Sequence, residues 1–174
     1  TDENERYKSV NRFYFIGMNA LYAMFVIYLL MRTNFGDLNK VFAYVNLGIV
    51  FVFEIINIVA YLKDKAGKKY GLISVILGGV ELFIIGGNTD AQFVLYAVVV
   101  ILMLQIPYFL PKRQMKLCIT YALGVLIVTV FRGIQGQMVF DVDTMCILLC
   151  IMLGIYVDWR LCHILKQFND DALG

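Results

Sequence analysis

Residues 41–62 read VFAYVNLGIVFVFEIINIVAYL, twenty-two positions with one charged side chain, Glu54, and two asparagines, Asn46 and Asn57. Lys40 and Lys63 bound the run. It is far longer than a strand of a membrane barrel, which alternates in polarity over about ten residues. It matches the roughly 17–25 residues a helix needs to cross hydrocarbon. In lipid every backbone N–H and C=O must find a partner inside the segment, and a helix does that for a single run. Residues 41–62 are therefore predicted to form a transmembrane helix.

Outward from this run lie five more of the same kind, at 13–31, 71–87, 91–110, 117–131 and 142–159. The fifth, 117–131, is short and must borrow from its flanks. Pro107 is expected to kink the fourth. The chain is 61% hydrophobic and only 16% charged, with a mean hydropathy of +0.77. Soluble domains are nearer half apolar and a quarter charged. At 174 residues a soluble fold cannot hide this much apolar surface, whereas a bilayer solvates it. The fold class is thus all-α: a polytopic bundle of six transmembrane helices. It divides into an N-terminal arm at 1–12, a bundle at 13–159 and a juxtamembrane helix at 160–174. The start, 1–5, is acidic and polar, unlike a signal peptide, so the first apolar run is expected to stay as a helix.

Charge placement orients the bundle. Twelve of the fifteen Lys and Arg fall in the arm, the second loop, the fourth loop and the tail. Only Arg32, Lys40 and Arg132 lie on the other side. The positive-inside rule places the rich side in the cytoplasm, giving both termini inside and a location in the cytoplasmic membrane. All loops are short, so anything bound must be met within the bundle or at its outer mouth.

Two carboxylates fall deep in the spans, Glu54 and Glu81. A charge at that depth costs roughly 2.5–3.5 kcal/mol on insertion scales, so each demands a reason. Counted from the cytoplasmic ends of their runs, they lie at ~12 Å and ~15 Å. Asn46, Glu54 and Asn57 share an arc of about 80° on the second helix, a polar stripe expected to face the interior. Gly71, Ser74, Gly78 and Glu81 do the same on the third, where small residues allow close approach. The expected site is a polar cavity for a small ligand or proton, with Glu54, Asn57 and Glu81 in its wall and Gln105 at its floor. Asn46 is a further candidate, and Arg132 is placed to reach inward towards Glu81. The competing reading is interhelical hydrogen bonding, with one or both acids carrying a proton.

Other chemistry is not signalled. His163 is the only histidine, which excludes a multi-histidine metal site. Cys118, Cys146, Cys150 and Cys162 avoid the outer loops, so no disulfide framework is expected. There is no phosphate loop, nucleophile elbow or metalloprotease motif. No enzyme, cofactor or nucleic-acid partner is expected. After Trp159 no Gly or Pro interrupts the sixth helix before Gly174. Leu161, Leu165, Phe168 and Ala172 follow the 4-3-4 step of a heptad seam, which predicts a homodimer through this helix. The competing reading is an amphipathic end lying on the membrane. The helical context up to Gly174 reads as a fragment of a longer chain.

Three local features carry a resemblance. Asn11-Arg12-Phe13 leads into the first helix, a lysine-rich loop runs from Lys63 to Lys69, and the sixth helix leaves as Leu165-Lys166-Gln167-Phe168-Asn169-Asp170. This layout resembles the N-terminal six-helix membrane regions of bacterial signalling receptors. Such regions precede methyl-accepting chemotaxis signalling domains, diguanylate cyclases or histidine kinases. The resemblance covers the whole chain in architecture and implies a dimeric sensor module. It transfers no ligand-binding residue to any position. The alternative is a small transporter subunit, since six helices at this length also resemble the vitamin-binding subunits of energy-coupling-factor transporters. Against it stand the absence of a long outer loop and the extended last helix. An intramembrane enzyme using Glu54 and Glu81 is a third class, without a surrounding motif.

Overall fold

The computed structural model describes residues 2–174; Thr1, the first residue of the predicted arm, lies outside them. Six helices follow in order: α1 Asp2–Phe35, α2 Lys40–Lys63, α3 Lys69–Asn88, α4 Phe93–Met103, α5 Pro111–Ile134 and α6 Val142–Leu173. A 3₁₀ turn, Ile106–Tyr108, lies between α4 and α5. No strand occurs among the described residues. Five of the six helices are long and apolar enough to cross a membrane. The chain falls into two units, 1–81 and 82–174.

In the first unit, α1 does not begin where the apolar run begins. Arm and apolar run are one helix, because nothing between them breaks it and a single stripe buries both. Tyr7, Val10, Asn11, Tyr14, Met18, Tyr22, Phe25 and Leu29 recur at three- and four-residue steps, and all are buried. That is the stripe of an amphipathic helix. Asn11 fixes the start of α1 to the loop after α2. Its amide nitrogen donates towards the carbonyl oxygens of Asp64, Lys65 and Gly67, at 3.2, 3.0 and 2.8 Å. The Asp64 carboxylate turns back over the same loop and accepts from the Tyr70 N–H at 2.9 Å. It thereby satisfies one of the orphan donors at the start of α3. A β-carbon at Gly67 would collide with Asp64 Oδ1, so only glycine lets the carboxylate sit there.

The second unit corrects the reading of the fourth run. Residues 91–110 are not one helix: α4 stops at Met103, after eleven residues. At 1.5 Å per residue it is only ~16 Å long. Pro107 explains the stop. It has no N–H to offer the helix and its ring crowds the carbonyl four residues back. The chain instead makes the short 3₁₀ turn, then places Phe109 in the left-handed region at φ 56°. Pro111 opens α5, where its fixed φ suits a first helical position. The predicted fifth run, 117–131, is correspondingly longer at both ends.

α6 is continuous for 32 residues. Asp141 caps it, its Oδ1 accepting from the Thr144 N–H at 2.8 Å. That backbone donor, followed by the Thr144 side chain, holds the Asp141 carboxyl below its ordinary range. The cap is therefore in place at neutral pH and is lost as acid protonates it below that lowered pKa. Ile151, Ile155, Asp158 and Cys162 form the buried stripe of α6. The Cys162 thiol donates to the Ile106 carbonyl at 3.8 Å, docking α6 on the 3₁₀ turn.

Candidate ligand site

The polar stripe predicted on α2 meets partners on both α1 and α3. Asn57 is fully buried and is taken up by α3. Its side-chain oxygen accepts from the Tyr70 hydroxyl at 3.0 Å and the Ser74 hydroxyl at 2.9 Å. Tyr70 and Ser74 are buried as completely. Two donors and one acceptor thus satisfy one another between α2 and α3, as buried polar groups must. The other end of its amide, Nδ2, lies 3.5 Å from the Asn19 side chain of α1.

Glu54 looks the other way, towards α1. With the Asn19 amide turned nitrogen-first, Asn19 donates to Glu54 Oε1, and to Oε2 at 3.2 Å. The pair closes one part of a groove of about 450 Å³ between α1 and α2. Asn19, Tyr22, Ala23 and Val26 line it from α1, and Leu47, Val50, Phe51 and Glu54 from α2. Glu54 is its only charged wall residue. Asn46 completes the stripe. It is 1% exposed, and neither atom of its amide has a hydrogen-bond partner among the described residues.

Glu81 does not line this groove. It is 0% exposed, and both its carboxylate oxygens lack a hydrogen-bond partner among the described residues. Each acid therefore has its own surroundings, despite similar depth along the chain.

In the second unit, Gln105 is buried and its side-chain oxygen accepts from Arg113 Nη2 at 2.9 Å. Arg132 is 1% exposed. Its Nε donates to the Gly86 carbonyl and its Nη2 to the Ala91 carbonyl, the latter at 2.7 Å. The guanidinium therefore closes the end of α3, where final carbonyls lack intrahelical partners. A third buried acid escaped the sequence reading: Asp158, 2% exposed, whose Oδ2 has no partner among the described residues. The signal that marks it is its place in the Ile151, Ile155, Cys162 stripe.

Leu161, Leu165, Phe168 and Ala172 are all exposed. Lys166 and Asp170 form an ion pair on the same segment at 2.7 Å. At 100° per residue the seam lies ~80° around α6 from the buried stripe. α6 can hold its place in the unit and offer the seam elsewhere. No group of three or more His, Cys, Asp or Glu able to hold a metal occurs among the described residues. Compared with protein families, curated proteins and solved structures, the chain matches none.

Proposed function

We propose that the chain is the membrane-embedded sensor module of a bacterial signalling receptor. It spans the cytoplasmic membrane with both termini inside, α4 and the 3₁₀ turn after it together making the fourth crossing, and passes a signal through α6 to a cytoplasmic output domain. The observation that carries this reading is the continuity of α6. Its 32 residues extend ~48 Å, against about 30 Å of hydrocarbon. Roughly 18 Å of rigid helix therefore projects beyond the lipid. This projection carries the exposed seam. Such a helix, anchored at Cys162 and free along its seam, suits the 1–2 Å shifts by which packed helices switch. A ligand moves that equilibrium only by its differential affinity for the two states.

Membrane insertion is supported by how little the helices cover one another. Only 17% of the most apolar window of α2 is buried. Phe51, Val52 and Ile55 on α2 and Ile127 on α5 are widely exposed. Apolar surface on this scale calls for a nonaqueous solvent. Orientation is tested by thiol labelling in intact cells, with the exposed Cys146 and Cys150 replaced by alanine. Cysteine at Lys69 or Lys112 should be shielded from an impermeant reagent, and cysteine at Gln137 should react. All three positions are exposed. Labelling of Lys69→Cys from outside overturns the orientation.

The dimeric output is tested by crosslinking in membranes. Leu165→Cys and Phe168→Cys should form interchain disulfides at least several-fold faster than Gln167→Cys, which points off the seam. Equal rates at all three, or none at any, would remove the dimer seam and favour the transporter-subunit reading.

A further inference from the structure

We infer that the groove between α1 and α2 binds a hydrophobic amine, with the ammonium at Glu54 and the apolar body along the groove. This assignment deepens the sensor reading and rests on it for its consequence, though the binding itself is measured directly.

Charge selects the class. Of the eight residues lining the groove, Glu54 alone is charged, and none is Lys, Arg or His. Its carboxylate accepts from Asn19, while an ionised carboxylate offers about four lone-pair sites. Acceptor capacity therefore remains for an ammonium, which brings three donors and the missing charge. An anionic ligand would meet the carboxylate as a like charge. A purely apolar one would leave it without a counterion in a poorly solvated wall.

Shape and lining set the rest. A volume of about 450 Å³ lies within the ordinary range for small-molecule sites, about 300–1,000 Å³. Ala23, Val26, Leu47 and Val50 supply aliphatic wall, and Tyr22 and Phe51 supply rings. Aromatic faces attract cations and accept aryl groups. Because the walls come from two helices, an occupant that draws Asn19 and Glu54 together favours one packing of α1 against α2. That is the differential affinity a sensor needs.

The test uses three probes with the same aryl-alkyl body: 4-phenylbutylamine, 4-phenylbutanol and 4-phenylbutanoate. Each is titrated against the purified chain in a neutral detergent, with the melting temperature as readout. The amine should stabilise at concentrations at least about tenfold below the alcohol, the scale of one charge-assisted contact. The acid should stabilise least. Glu54→Gln should bring the amine to the level of the alcohol, whereas Glu81→Gln should leave its advantage intact. Ala23→Phe, at an exposed position, fills the groove while keeping Glu54 and should abolish the response to all three. It decides the matter if Glu54→Gln fails to fold. Equal responses to amine, alcohol and acid would mean that the groove takes only apolar bodies, such as an acyl chain, and would overturn the assignment. So would an amine advantage that survives Glu54→Gln or Ala23→Phe. If the assignment fails while Leu165→Cys and Phe168→Cys still crosslink selectively, the ligand class falls and the sensor reading stands.

Discussion

Replacing Arg132 by leucine is expected to destabilise the purified protein by about 3–6 kcal/mol, since hydrogen bonds from a charged donor are worth roughly 1.5–3 kcal/mol each. Two such bonds are lost, to the carbonyls of Gly86 and Ala91. Leucine keeps apolar bulk at a position that is 1% exposed, so a cavity is a minor part of the effect. The larger part is two carbonyl oxygens left without donors where water is scarce. Gly86 makes room beside the bridge for Val94 and Val128 rather than for the guanidinium itself. A β-carbon there would lie 3.0 Å from Val94 and 3.6 Å from Arg132 Nη2. Arg132→Lys should fall between the two, because an ammonium keeps the favourable charge at a helix C-terminus but lacks the fork that reaches both carbonyls. Thermal melting in detergent, followed by helical circular dichroism, measures all three proteins. A leucine variant as stable as the parent would mean that the bridge contributes nothing to holding the end of α3.

That bridge also shows what the sequence carries and what it leaves out. Hydropathy marks where five of the apolar runs lie, because a long helix in lipid has no other way to satisfy its backbone. It does not separate α4 from the 3₁₀ turn, since no charged residue interrupts 91–110. Pro107 predicts a bend, and the structure ends the helix instead. The place of Glu54 and Glu81 along their helices is legible by counting residues. Their partners depend on how α1, α2 and α3 are rotated about their own axes, and one sequence holds only weak information on that. Nothing in the sequence marks the link between Asn19 and Glu54. The bonds of Asn11 run to carbonyls 53–56 residues away. Backbone acceptors leave no mark in composition, so nothing in the arm announces them. Asp158 was readable in principle. The step from Ile151 and Ile155 to Cys162 places it on the buried face.

Inserting one alanine after His163 is expected to uncouple the two halves of the α6 seam. Leu161 and Phe168 are seven residues apart, and at 100° per residue they differ by only ~20° around the helix. A double variant with cysteine at both positions should therefore form both interchain disulfides in the membrane. With one residue inserted the downstream half turns by ~100° relative to the bundle. Cys162, fully buried and bonded to the Ile106 carbonyl, holds the upstream half in place. A rigid helix then cannot present both cysteines to a twin at once. One disulfide should form at the parental rate and the other at least about tenfold more slowly. Inserting seven residues adds nearly two whole turns and should restore both. The pattern of one against seven distinguishes a rigid, phased helix from a loose tail, because a flexible tail would tolerate either insertion. A joined output domain should follow the same phase, disrupted by one residue and largely recovered with seven. If both disulfides form equally well with one residue inserted, the helix does not carry rotation across the membrane boundary, and α6 is not the route of the signal.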